Sequence, residues 1–273
     1  MPLVLLLLIT LLIIGWILGR PYLQRWRRQR IMAQPFPHAW RKIVKRRLPF
    51  FWALPADLQL KLKKHIQVFL HEKDFVGCGG LVITDEIRVT IAAQACLLLL
   101  NRPADYYPGL QSILVYPAAF IVPQRQPDGA GIVSDQAGVL LGESWGQGKV
   151  ILSWQDSLRG AAHPTDGHNV VIHEFAHQLD QQKGYANGAP VLGSSSDLKD
   201  WSEVFQRAFQ HLQQQLARGE TTLVDPYAAT NPAEFFAVVT EVFFEQPRQL
   251  QQQQPDLYQQ LSQFYQLNPL SWQ

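Results

Sequence analysis

The segment Val170–Asp180 reads VVIHEFAHQLD and contains the pentad His173-Glu174-Phe175-Ala176-His177. On an α-helix, positions i and i+4 differ by about 40° in azimuth, so both imidazoles leave the same side, one turn apart. Two neutral imidazoles at that spacing can share one Zn2+ ion. Glu174 is turned by about 100° from His173. It can therefore stand beside a metal without ligating it and take a proton from a metal-bound water. Val171, Ile172, Phe175 and Ala176 are apolar, so a helix here must be buried on its other faces. The bland alternative is a helix whose histidines and glutamate make only surface or core hydrogen bonds.

A hydrolytic zinc site has three protein ligands and one water, so a third ligand has to come from elsewhere. The extension H-x-x-G-x-x-H is absent, because Gln-Leu-Asp-Gln-Gln-Lys follows His177. The downstream candidates are Asp180, His211, Glu220, Asp225, Glu234 and Glu241. Of these, Glu234 and Glu241 lie in the segment 225–245, DPYAATNPAEFFAVVTEVFFE. Its helix is expected to start with Asn231 as N-cap and Pro232 as first residue. Glu234 then stands where a glutamate often closes a capping box, which competes evenly with a ligand role. Glu234 and Glu241 are two turns apart and share an inward face with Val238. Buried carboxylates need a cation or hydrogen-bond donors, which tips the balance toward a metal. One can ligate and the other can receive a histidine N–H. Asp180, one turn past His177, is a further carboxylate for that outer role or for helix packing. Tyr227, just before this helix, can donate its O–H to an oxyanion or be an ordinary half-buried loop tyrosine.

Composition narrows the setting. With 273 residues, 47% apolar and 17% charged, the chain is neither disordered nor collagen-like. The net charge of +2 is unevenly spread. Residues 1–50 hold ten Lys/Arg and no acid, whereas the rest holds fourteen against twenty-two. An acidic body lacks the charge to neutralise phosphates, so direct nucleic-acid binding is not expected. Two cysteines, Cys78 and Cys96, are too few for a disulfide framework or a cysteine zinc site.

Residues 3–18, LVLLLLITLLIIGWIL, are sixteen uncharged residues. At 1.5 Å per residue they make about 24 Å of helix, short against a bilayer core of roughly 30 Å but within reach of it. No basic residue precedes the run and no small-x-small site follows it, which argues against a cleaved signal. The arginine-rich RPYLQRWRRQR follows, as on a cytoplasm-facing flank. The expectation is a single-pass anchor in residues 1–20, on a bacterial inner membrane with the body in the cytoplasm, or a soluble cytoplasmic protein if the anchor is not used. A basic juxtamembrane linker over 21–50 and one domain over 51–273 complete the plan. Within that domain, helices are expected over 55–70, 88–100 and most of the chain after 168. Strands are expected over 113–116 and 149–154, with loops or hairpins over 123–148.

Long motifs now add a resemblance. HEFAHQLD, the later DPYAATNPAEFFAVVTEVFFEQP, TDEIRVTIAAQACLLL, ILVYP, VILSW and LYQQLSQFYQLNP together resemble the Mlc titration factor A family of zinc metallopeptidases. The likeness covers roughly residues 35–270. It implies a mainly α (α+β) zincin-like domain with a small sheet, similar to the catalytic domain of anthrax lethal factor. It implies aminopeptidase-like cleavage of peptides, with one Zn2+ on His173, His177 and Glu234 and with Glu174 as general base. Tyr227, seven residues before Glu234, takes the place of the transition-state tyrosine, and Glu241 is left behind a ligand. Enteric members bind the repressor Mlc, which makes a repressor of that type an expected partner besides the peptide or protein substrate. The rival reading is a membrane-tethered regulatory binding protein with a structural or inactive zinc site. Glu174 speaks against it, since a structural site needs no base and usually has four protein ligands.

Overall fold

The computed structural model describes residues 2–102, 105–127, 133–140, 142–145, 148–193 and 195–272. The chain opens with helices α1 (Pro2–Ala33), α2 (His38–Arg47), α3 (Phe50–Ala53) and α4 (Ala56–Glu72). Strand β1 (Asp74–Gly77) leads into helix α5 (Asp85–Leu97). Strands β2 (Ser112–Tyr116), β3 (Phe120–Pro127), β4 (Val133–Leu140), β5 (Gly142–Trp145) and β6 (Lys149–Ser153) follow. The rest is helical: α6 (Trp154–Ala162), α7 (Val170–Asp180), α8 (Ser195–Ala217), α9 (Pro232–Glu245), α10 (Pro247–Gln253) and α11 (Pro255–Tyr265). A mainly helical body around a small sheet agrees with the fold class expected from the sequence.

The helical periodicity of α4 is realised as burial: Leu58, Leu62, Ile66 and Phe69 all face the core. The run at 81–89 is a helix entry, because the Thr84 hydroxyl accepts the Ile87 N–H and starts α5 at Asp85. From Val89 to Leu97 that helix is buried throughout, so it forms the centre of the body.

The sheet has the order β1-β2-β6-β5. β1, β2 and β6 are parallel, and β5 runs antiparallel to β6. β6 therefore has a partner on each side. It offers no edge to an added strand, because its N–H and C=O groups are committed to β2 and β5. The helix α6 also claims Trp154, because the Ser153 hydroxyl caps it by accepting the Asp156 N–H. The stretch 123–148 contains the antiparallel hairpin β3–β4, paired from Phe120↔Leu140 to Pro127↔Val133.

The N-terminal anchor is not supported. Among the described residues, no helix is long and apolar enough to cross a membrane. The apolar run is shorter than a bilayer core, and its helix does not stop there. α1 continues through Arg20, Arg25, Arg27, Arg28 and Arg30 to Ala33. Its C-terminal part docks on the body, where Arg28 Nε lies 2.7 Å from Glu72 Oε1 and the guanidinium covers the Tyr106 ring. Residues 38–47, inside the basic stretch read as linker, form α2, which packs on α5 and buries Ile43 and Val44. Cys78 and Cys96 are free.

Helix α9 is the second central element. Every residue from Phe235 to Glu245 is buried. Phe236, Val239 and Phe243 are essentially inaccessible, and each such side chain contributes on the order of 1.5–3 kcal/mol through burial. α9 packs directly against α7, and α7 lies beside β5 and β6. That three-way packing brings the pentad helix, the acidic helix and the end of the sheet to one place.

Candidate metal centre

Helix α7 begins where Asn169 Oδ1 accepts the Ile172 N–H at 3.1 Å. One face of α7 is fixed by Val171, Ile172, Phe175 and Leu179, all buried. Phe175 packs edge-on against Tyr107 and tilted against Phe69 of α4, with ring centroids 4.8 and 5.7 Å away. The opposite face therefore carries His173 and His177, whose ring centroids are 4.8 Å apart.

On α9 the capping question has a clear geometric answer. Asn231 Oδ1 accepts the N–H groups of Ala233 at 2.9 Å and Glu234 at 3.0 Å. Pro232 sits at the first turn, as expected. Asn231 supplies its half of the cap, and the Glu234 carboxylate points across to α7 instead of closing the other half. Its Oε2 lies 3.1 Å from His173 Nε2 and 3.3 Å from His177 Nε2. One ligand atom from each of His173, His177 and Glu234 falls within 4.8 Å of the others. Two imidazole nitrogens and a carboxylate oxygen converging on one point are a donor set that fits Zn2+.

His173 Nδ1 is 2.8 Å from Glu241 Oε1. With Glu241 accepting the Nδ1–H hydrogen bond of the neutral ring, the Nε2 lone pair is directed at the shared point. His177 Nδ1 is buried and has no hydrogen-bond partner among the described residues. Asp180 is close enough to feel the charge of His177, but its carboxylate serves another purpose. Asp180 Oδ2 accepts the Gly188 N–H at 2.7 Å and ties the end of α7 to the next loop.

Electrostatics follow from this crowding. Burial alone would lower the His173 pKa, but the carboxylates on its two nitrogens raise it well above the ordinary value. Burial pushes Glu234 up, and the hydrogen bonds and charges of the two histidines pull it down to about 2. Glu234 is thus an anion at neutral pH. Glu174 is 3% exposed and acts on both His173 and Tyr227 through its charge. Tyr227 stands on a short turn, Pro226–Ala229, set by Asp225 Oδ1 accepting the Tyr227 N–H at 2.8 Å. Its ring lies 6.2 Å from that of His173, and 55% of the residue is exposed. Burial of its hydroxyl, then the charges of Glu234 and Glu174, push its pKa to about 12.

The other candidates lie outside the cluster. His211 is exposed on α8, and Glu220 pairs with Arg218 at 3.7 Å. Asp225 is the cap of the tyrosine turn. Two residues that sequence reasoning passed over stand next to the site. Asn169 was detectable as a cap-forming residue directly before an apolar helix, and Glu245 as the acid one turn beyond Glu241.

A helical body that sets a His-Glu-x-x-His helix against a second, glutamate-bearing helix defines a metallopeptidase type of protein. Comparison with known proteins agrees. The family model for the glucose-regulated metallo-peptidase M90 matches residues 23–266, and the chain belongs to that family. An uncharacterized protein of Synechocystis sp. is 45% identical over 272 residues, covering 99% of this chain and 98% of its own. The Mlc titration factor A of Escherichia fergusonii is 34% identical over 226 residues, covering 82% of this chain and 84% of its own. That of Yersinia pestis is 33% identical over 227 residues, covering 82% and 83%.

Proposed function

We propose that the protein is a zinc-dependent peptidase of aminopeptidase-like type, with His173, His177 and Glu234 holding one Zn2+. The observation that carries this reading is the meeting of two histidine Nε2 atoms with Glu234 Oε2, beside a buried glutamate. When bound there, zinc would lower the pKa of a coordinated water to roughly 7 and polarise the scissile carbonyl. Glu174 accepts the proton of the attacking water and passes it to the leaving amine. Tyr227, kept protonated by a pKa of about 12, donates its O–H to the oxygen that becomes negative. Glu241 holds the His173 tautomer that leaves Nε2 as the donor atom.

The substrate backbone is proposed to lie along β5. Among the described residues this strand pairs only with β6 and its outer edge has no partner strand, and it packs beside α7. An extended peptide can add there as a further strand. A peptidomimetic seated away from β5 in a complex structure would remove this part. Because relatives carry the name Mlc titration factor A, a repressor of the Mlc type is the proposed protein partner.

The decisive experiment measures zinc content and turnover of the full chain on aminoacyl and internal peptide substrates, beside Glu174→Gln. The wild type is expected to hold about one zinc per chain and to cleave. Glu174→Gln is expected to keep the metal and lose roughly 10²- to 10⁴-fold in kcat. A wild type that binds zinc and cleaves neither substrate class would favour a regulatory binding protein instead.

A further inference from the structure

The loop that enters α7 is clasped from below by α9. Glu241 and Glu245 stand one turn apart on α9, 6% and 4% exposed. Glu241 faces His173 with Oε1, and its Oε2 accepts the backbone N–H of Asn169. Glu245 Oε1 accepts from Asn169 Nδ2 at 3.0 Å, and Oε2 accepts the Gly167 N–H at 3.0 Å.

Asn169 is thereby used by every polar group it has. Its N–H goes to Glu241, its Nδ2 to Glu245, and its Oδ1 accepts the Ile172 N–H. Its carbonyl accepts the His173 N–H at 2.9 Å. Its position is also closed sterically. A Cβ added at Gly160 of α6 would come within 2.9 Å of the Asn169 side chain, so only glycine leaves room for this seat. Gly167 takes φ +83°, a left-handed backbone that turns its N–H onto Glu245. Gln246 Nε2 donates to the Thr165 carbonyl at 3.1 Å and holds the loop one step earlier.

We infer that Glu245 and Asn169 are a positioning pair for His173. Glu245 fixes Asn169. Asn169 fixes both the first turn of α7 and the second oxygen of Glu241. Glu241 then fixes the imidazole. This rests on the zinc-peptidase reading above, since it assigns a metal ligand as the residue being aimed. Without the Glu245 carboxylate, the Gly167 N–H and the Asn169 amide are buried donors lacking an acceptor, which the loop can relieve only by moving. Glu241 then loses the donor on its second oxygen, and the His173 ring is freed to rotate. A residue that merely satisfied a buried loop would change stability and leave the ligand geometry alone.

The test compares Glu245→Ala, Glu245→Gln and Asn169→Ser, with Tyr258→Phe as a remote control that loses only the hydroxyl's own hydrogen bonds, that to Asn268 among them. Zinc affinity is measured by chelator competition, and ligand geometry by the visible spectrum of the cobalt-substituted protein. Glu245→Ala and Asn169→Ser are each expected to weaken zinc about 10- to 100-fold and to shift the cobalt bands. The double variant is expected to lose little more than either single one, because the two act through one link. Glu245→Gln keeps an acceptor for one of the two donors and should lose less than Glu245→Ala. Tyr258→Phe should keep wild-type affinity. Wild-type zinc affinity and cobalt spectra in Glu245→Gln and Asn169→Ser overturn the inference, whatever happens to the melting temperature or to folding of Glu245→Ala. A wild type with no metal affinity overturns the peptidase reading itself, and this inference with it.

Discussion

His65 on α4 and His173 on α7 sit on helices whose packed faces meet at Phe69 and Phe175. Both imidazoles are largely enclosed, yet they carry opposite charge tendencies. His65 Nδ1 is 2.7 Å from the Tyr106 hydroxyl, and burial, with the Lys61 charge adding to it, lowers its pKa to about 4. His173 feels the same burial, but Glu234 and Glu241 stand on its two nitrogens and raise it. Burial alone thus makes a neutral structural histidine. A carboxylate on each nitrogen makes one that is oriented, polarised and able to give Nε2 to a cation. The difference comes from α9, whose one face supplies Glu234, Glu241 and Glu245 to an otherwise apolar interface.

The comparison breaks most completely at Glu234. Glu234→Ala removes the oxygen lying between the two Nε2 atoms. It should leave the His173 side resembling the His65 side, with zinc affinity reduced by more than the about 10- to 100-fold typical of losing an outer partner. Turnover should fall to background. Full zinc occupancy in dialysed Glu234→Ala would return the ligand search to Asp180 and Glu241. Tyr227→Phe is a smaller change. It keeps the ring near His173 and removes only the donor. Its expected signature is a loss of roughly 10²-fold in kcat with zinc content and KM little altered. An unchanged kcat would make Tyr227 an ordinary loop residue.

Much of this contrast was legible in the sequence, and the illegible part has a physical reason. The pentad helix, the Asn231 cap, Pro232 and the inward Glu234–Glu241 face are all local, so helical spacing suffices to place them. Spacing cannot say that Asn231 takes the capping hydrogen bonds and leaves Glu234 to cross to α7. That is settled by how two helices pack. Strand pairing is equally non-local. β6 is readable as an apolar strand, but only its register with Ser112–Tyr116 and Gly142–Trp145 reveals that both of its edges are occupied. The apolar run 3–18 shows its character in composition, but among the described residues no helix is long and apolar enough to cross a membrane. Asn169 escaped notice because its importance lies in four simultaneous partners, of which the sequence displays only the cap.

The smallest effect sharpens the comparison from the His65 side, where no metal intervenes. His65 has a folded pKa of about 4 against an ordinary 6.5. Between those values the unfolded chain binds a proton that the folded chain refuses. Stability conferred by the neutral ring is therefore complete above about pH 6.5 and is lost as pH falls toward 4. Lowering the pH from 7.5 to 5 should remove roughly 2 kcal/mol through this group alone. His65→Gln has no such proton to exclude and can still meet the Tyr106 hydroxyl. Urea midpoints of the metal-free protein at the two pH values should therefore separate the variant from wild type at pH 7.5 and draw them together at pH 5. The metal-free state and the same site background in both proteins make the His173 cluster cancel from the difference. Parallel pH dependence in the two proteins would mean that water reaches His65 freely. Burial would then no longer explain why two enclosed histidines of one core differ.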